Sequence, residues 1–178
     1  MGFAARTYSA PDEYWRNFNA TVPGCVILDV HASVDGHSMQ ELLARQPLSP
    51  PVVVISASME VQQVVRAMRR GAVDFLQKRS YSELDLWEAL QHALTLDAAN
   101  RERFFQVQAD REKLALLSEP ECDVLRRLLQ GDNNRQIAEL LGISRAAVEA
   151  RRIRLMRKLG VTNMIALVNF AITTGFDA

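Results

Sequence analysis

Cysteine is scarce: the chain holds two in 178 residues, Cys25 and Cys122, too few for a disulfide framework and without metal-ligand spacing. Both are expected to be reduced and structural. Glycine and proline are sparse as well, at 8 and 6 residues, which excludes collagenous and low-complexity chains. With 48% hydrophobic and 24% charged residues, the composition is that of a folded globular protein rather than a disordered one. Long apolar runs are missing: stretches such as Val52-Val53-Val54-Ile55 fall far short of the roughly 18 residues a membrane span needs. The N-terminus has no basic-then-apolar signal pattern. The expectation is a cytoplasmic protein with no membrane partner. No nucleophile paired with a base, no metal cluster and no Gly-rich phosphate loop stands out, so neither enzymatic activity nor a cofactor is expected.

An excess of either charge is lacking too, with 21 basic against 21 acidic residues, which on its face argues against a phosphate-rich partner. The average conceals a split. Residues 1–100 carry 8 Lys and Arg against 11 Asp and Glu, whereas residues 101–178 carry 13 against 10. Within 144–158 lie Arg145, Arg151, Arg152, Arg154, Arg157 and Lys158, opposed only by Glu149. A local stripe that dense points to nucleic acid, a solvated helix face being the bland alternative.

In the N-terminal half, Cys25–Asp29 and Pro51–Ser56 are short apolar runs ending in a polar or acidic residue, the pattern of buried parallel strands. Met39, Leu42 and Leu43 recur at helical spacing between them, and Val61, Val64, Val65 and Met68 do so after them, with Gly71 as a stop. Ala72–Leu76 reads as a further strand and a helix begins near Ser82. Alternation of strand and helix means a parallel sheet with crossover helices. Ahead of these, Phe3–Tyr8 reads as an additional strand, and Tyr14, Trp15 and Phe18 mark one side of a short helix. From Ser82 the helical pattern continues without Gly or Pro to about Leu116, as one long connector or as two helices meeting at Asp97–Asn100. This segment is expected to link two domains and to pair with its copy in a second chain; packing on its own domain is the alternative.

After Leu117 every signal is helical. Ser118-Glu-Pro-Glu121 is a capping box, Asn133-Asn-Arg-Gln136 starts a helix in the same manner, and Ser144 caps a third after Gly142. Two helices joined by a Gly-containing turn, the second carrying a basic stripe, constitute a helix-turn-helix whose second helix enters the major groove. At 100° per residue Val148, Leu155 and Leu159 fall on one side, with Met156 at its edge. The opposite side carries Ala146, Glu149, Ala150, Ile153, Arg154 and Arg157. Arg145, Arg151 and Lys158 are placed to reach the DNA as well, the last two from a flank facing phosphates. Arg152 falls near the buried side, where an internal ion pair is expected.

Leu117–Leu125, Gly131–Ala138, Leu141-Gly-Ile-Ser144, Val148-Glu149, Arg152 and Lys158–Val161 together resemble the LuxR-type DNA-binding domain of FixJ/NarL response regulators, over about 117–176. The resemblance implies a four-helix domain whose last helix, about 163–173, dimerises through Ile165, Leu167, Val168 and Phe170. Ala147 stands where a hydroxyl is usual and Arg151 where His is usual.

The N-terminal half, over about 2–95, is similar to the receiver domain of the same family, a flavodoxin-like sheet of strand order 2-1-3-4-5. The resemblance implies that Asp29 corresponds to the phosphoacceptor, Ser56 and Phe75 to the switch hydroxyl and aromatic, and Lys78 to the family's lysine. It also implies that the chain starts at the second strand, without the acidic pair that helps Asp29 hold Mg²⁺. Arg79 replaces the usual proline after the lysine, and the loop His31–Gly36 is short. The expectation is an incomplete, degenerate α/β receiver over 1–95, a helical linker over 96–116 and an all-α helix-turn-helix domain over 117–178. Residues 3–8 are expected to pair with 25–29, unless strand exchange in a dimer closes the gap. The resulting reading is a homodimeric transcriptional regulator of double-stranded DNA that works without phosphorylation. Its alternatives are a phosphorylation-switched regulator, which would bring a histidine kinase partner, and a dimerisation antagonist that no longer touches DNA.

Overall fold

An unbroken β-branched run suits the centre of a parallel sheet, because a strand covered on both faces needs no polar alternation. Val52–Ser56 meets that condition, and all five of its residues are buried. The computed structural model describes residues 3–176 apart from 20, 31–42, 44, 45, 47, 58 and 59. Its first elements are α1 (Pro11–Asn17), β1 (Val26–Val30), β2 (Val52–Ser56), α2 (Val61–Arg69) and β3 (Ala72–Gln77). The three strands are parallel in the order β1-β2-β3, with Asp29 opposite Ile55 and Ser56 opposite both Val30 and Gln77. Val52 and Val54 face a cluster with Leu43, Ala67 and Ala72, against which Tyr14 and Trp15 of α1 pack. Val53 and Ile55 face the other side, with Leu76, Ala89 and Ala93. Of the helix expected from Met39 to Leu43, only buried Leu43 is described; Met39, Leu42 and the loop His31–Gly36 lie outside the described residues.

Phe3–Tyr8 is not a strand. Its residues are nearly all exposed and lie outside the three-stranded sheet. The aromatic rings that give the segment its apolar character are spent on helices: Phe3 stacks on Trp87 at 4.9 Å and Tyr8 meets Tyr14 edge-on at 5.5 Å. The stripe on α2 also differs from an inward-facing one. Val61, Val65 and Met68 are exposed, and the buried residue is Ala67, whose small side chain lets the helix approach the sheet closely.

A single helix, α3 (Glu83–Ala115), spans the segment that the sequence left open between one helix and two. The chain divides into two compact units, Met1–Glu102 and Arg103–Ala178, and each is described by itself. In the N-terminal unit α3 buries Ala89, Ala93, Asp97 and Arg101, one residue in four along one face. The last two form an ion pair that periodicity did not suggest: Arg101 Nε donates to Asp97 Oδ2 at 2.7 Å. That oxygen also accepts from the Gly24 amide at 2.9 Å, and Arg101 donates to the Val22 carbonyl at 2.5 Å. The pair therefore clasps the loop before β1 to the helix. Burial pushes the neighbouring Cys25 thiol up, with the Asp97 charge adding to it.

The C-terminal unit comprises α4 (Glu119–Leu129), α5 (Asn134–Leu141), α6 (Arg145–Leu159) and α7 (Met164–Thr174). Val124, Leu125, Leu128, Ile137, Val148, Leu155, Leu159, Leu167 and Phe170 interlock in its core. Asn133 accepts from the amides of Arg135 and Gln136, and Ser144 from that of Ala147. Gly142, at φ +64°, ends α5 in the left-handed conformation, which only glycine adopts without strain. Among the described residues no single helix is long and apolar enough to cross a membrane.

Removing one member of a buried pair leaves the other charged and uncompensated, at a cost of about 3–5 kcal/mol. Asp97→Ala should therefore destabilise the N-terminal unit by about that amount. Both tryptophans, Trp15 and Trp87, lie in this unit, so a urea titration followed by tryptophan fluorescence reads the change. An unaltered midpoint would show that the clasp contributes nothing.

Candidate nucleic-acid interface

The turn from Gly142 to Ser144 sets α6 after α5, and the inward side of α6 is the one the wheel indicates. Val148, Leu155 and Leu159 are buried, and Met156 packs partly against them. On the outward side Ala146, Glu149, Ile153, Arg154 and Arg157 are exposed and Ala150 is half-buried; Arg145 is exposed and Arg151 half-buried. The result is a cationic face with small residues near the helix start and one apolar side chain, Ile153, standing free at 58% exposure.

Two polar clusters fix this helix. Toward its middle Arg152 Nη1 donates to Asn134 Oδ1 at 3.4 Å, and Asn134 Nδ2 donates to Glu149 Oε2. Arg152 thus meets an amide and not the carboxylate of the expected ion pair. Toward its C-terminal end, Glu121 is 3% exposed and accepts from the Ser118 amide at 2.8 Å, the Ser118 hydroxyl at 3.0 Å and Lys158 Nζ at 2.6 Å. Lys158 also donates to the Leu116 carbonyl at 3.1 Å, and Arg154 Nε lies 3.7 Å from Glu121. Burial alone would push the Glu121 carboxyl up. The Lys158 ammonium and the two Ser118 donors outweigh that and hold it down at about 2.

In the N-terminal unit, Asp29 sits at the C-terminal end of β1, Ser56 at the end of β2, and Lys78 directly after β3, its amide donating to the Ser56 carbonyl at 2.8 Å. The three are brought together by strand register. Lys78 Nζ donates to Asp29 Oδ2 at 2.5 Å across a partly exposed site. Ser56 is buried, and Phe75 packs half-buried with the cluster around Val52 and Val54. Among the described residues no three His, Cys, Asp or Glu side chains are grouped to hold a metal ion.

Residues 1–91 match the model of the response regulator receiver domain, and residues 115–171 that of the bacterial regulatory proteins of the luxR family. The transcriptional regulatory protein TdiR of Thauera aromatica is 34% identical over 93% of this chain and 73% of its own length. The C4-dicarboxylate transport transcriptional regulatory protein DctR of Rhodobacter capsulatus is 33% identical over 93% of this chain and 85% of its own. Among solved structures, the response regulator StyR aligns with a TM-score of 0.73 at 29% identity, over 93% of this chain and 83% of that one. The chain belongs to the LuxR-type two-component response regulators. It is a DNA-binding transcriptional regulator of that family, with a receiver-like partial sheet and a helix-turn-helix domain.

Within this LuxR-type frame α6 is the second helix of the helix-turn-helix, and the structure revises the expectation for three residues. Lys158 was expected to reach phosphates from the flank, but its ammonium is held between Glu121 and the Leu116 carbonyl. Leu167 and Phe170 were expected to dimerise, but they are 1% and 8% exposed and belong to the core. The outward side of α7 instead carries Ile165 and Ile172, with Val168 half-buried. Asn134 and Glu121 went unassigned to this helix in the sequence. Their only visible signal was their place in the capping sequences, which says nothing of a side chain fifteen or more residues away.

Because the folded Glu121 carboxyl titrates below its ordinary value, its contribution to stability is complete above about pH 4.5 and disappears as pH falls through about 2. The shift corresponds to about 3 kcal/mol. Hydrogen exchange on α4 and α6 should show protection falling across that window in the wild type and a weaker acid dependence in Glu121→Gln. Equal acid dependence in the two proteins would remove Glu121 from this role.

Proposed function

We propose that this regulator binds double-stranded DNA as a homodimer through the outward face of α6 and does so without phosphorylation of its receiver. The observation that carries DNA contact is the exposed grouping of Arg145, Arg154, Arg157 and Ile153 on the helix after the Gly142 turn. Cations there position the helix on phosphates, and Ala146 and Ala150 permit close approach to base edges. Dimerisation is supported by Ile165 and Ile172, one heptad apart and both about three-quarters exposed on α7. A pair of such domains reads two half-sites, and joining them raises the effective concentration of the second. In this reading the regulator works in the cytoplasm, on DNA.

Independence from phosphorylation is supported by Asp29 itself. Mg²⁺ prefers several oxygen ligands and the nucleophile must be open to the phosphoryl donor. The Asp29 carboxylate instead holds the Lys78 ammonium, and no second carboxylate joins it in a metal-holding group among the described residues; those residues do not make a site for the ion. In this reading the domains are a degenerate receiver over 1–95, a linker over 96–116 and the DNA-binding domain over 117–178. The opposing reading, a phosphorylation switch served by a histidine kinase, is favoured by the convergence of Asp29, Ser56 and Lys78 at one end of the sheet.

Incubation with acetyl phosphate and Mg²⁺, followed by intact-mass measurement, separates the two. No Asp29-dependent gain of one phosphoryl group is expected; a gain that Asp29→Ala abolishes establishes the switch. For DNA contact, Arg154→Glu with Arg157→Glu should weaken binding on the order of a hundredfold at 0.1 M salt and reduce the slope of log K against log salt by about two. Retention of wild-type binding and slope would move the interface away from α6.

A further inference from the structure

Glu149 is the only acidic residue in the sequence from 144 to 158, and it lies on the outward side of α6 among cations. A carboxylate facing a phosphate backbone is repelled by it, so its place in a DNA-reading face needs a compensating contact. The donors that base edges offer in the major groove are the amino groups of cytosine and adenine. On adenine the donor sits beside the N7 acceptor, which repels a carboxylate; cytosine presents its N4 amino group without an acceptor on the same base.

Asn134 determines which oxygen is available. Arg152 Nη1 supplies a donor to Asn134 Oδ1, so the amide nitrogen must point the other way, and it donates to Glu149 Oε2. A cation at one end of the amide and a carboxylate at the other leave it one orientation. Glu149 Oε2 is thereby engaged, and among the described residues Oε1 has no partner and remains for a single outside donor. We infer that Asn134 is a specificity-determining residue that holds Glu149 to accept from a cytosine amino group in each half-site. The inference rests on the DNA-binding reading of α6.

The full chain is tested as wild type, Glu149→Gln and Asn134→Ala by selection from a random-sequence duplex library, followed by competition binding across a salt series. The wild type should enrich cytosine at one position per half-site. Glu149→Gln should lose roughly tenfold discrimination there and drift toward adenine, the base that a carboxamide matches. Asn134→Ala should lose several-fold at the same position and less at every other, and both variants should keep the wild-type salt slope. Unchanged preference in both variants, or a loss spread evenly over all sequences, overturns the inference and leaves Asn134 as a clasp between α5 and α6. Should Asn134→Ala lose its helical circular dichroism, Asn134→Asp, which keeps an acceptor for Arg152 but repels Glu149, takes its place with the same expected outcome. If the wild type binds no duplex in a salt-dependent manner, the reading of α6 has failed, an outcome distinct from loss of preference.

Discussion

Glu121 brings a negative charge into the interior of the C-terminal unit, where desolvation penalises it, and the arrangement of the neighbouring helices follows from how that charge is met. The donors come from three places: the amide and hydroxyl of Ser118 at the start of α4, Lys158 near the end of α6, and more distantly Arg154. Lys158 in turn satisfies the Leu116 carbonyl just beyond α3. A buried carboxylate with fewer partners would neutralise itself or unfold its surroundings. One consequence concerns DNA. Of the six cations between 144 and 158, Lys158 is consumed internally, Arg152 bonds to Asn134 and Arg154 is shared, so the unencumbered charge of the face is smaller than the count in the sequence suggests.

Local signals in the sequence carried much of this architecture because they report on backbone groups only a few residues away. The caps at Ser118, Asn133 and Ser144, the left-handed Gly142 and the buried strand at Val52–Ser56 are of this kind. The failures share the opposite character. Met164–Thr174 is apolar nearly all round, so periodicity does not say which side packs; the core chooses Leu167, Phe170, Ala171 and Thr174 and leaves Ile165 and Ile172 outside. Position on a wheel placed Lys158 on a flank correctly but is blind to a carboxylate 37 residues earlier in the chain. Asp97 and Arg101 are recognisable as an i,i+4 pair, yet their burial depends on Val22 and Gly24 passing beneath the helix. Phe3 and Tyr8 offered an apolar pattern that a strand and a stacked, irregular segment satisfy equally.

In the N-terminal unit the contrast between β2 and β1 shows how its core is distributed. β2 is buried along its whole length, whereas β1 alternates between half-buried and exposed residues, with Ile27 among the exposed. Val26, Leu28 and Val30 share the side packed by Tyr14 and Trp15, and β1 is therefore a one-sided strand at the margin of a sheet whose centre is two-sided. Asp29, on the open side of β1, pairs with Lys78 in a site where both partners are substantially exposed. Such pairs add little to stability. The importance of the contact is chemical: it determines what a phosphoryl donor or a cation would have to displace.

The two polar clusters on α6 act on different degrees of freedom. Asn134 grips Glu149 and Arg152 in the first half of the helix, and Glu121 grips Arg154 and Lys158 in the second. A helix held at one point can still roll or tilt; held at two points about one and a half turns apart, it can do neither without breaking a charged contact. Rolling matters most, since each residue advances the face by 100° and a small rotation would exchange Ile153 and Arg157 for side chains of different chemistry. In the proposed reading, where this face meets DNA, fixing it beforehand also removes ordering that binding would otherwise have to supply. In that reading the internal use of Lys158 and Arg152 is no loss to recognition, because a smaller set of correctly aimed groups discriminates better than a larger set free to turn.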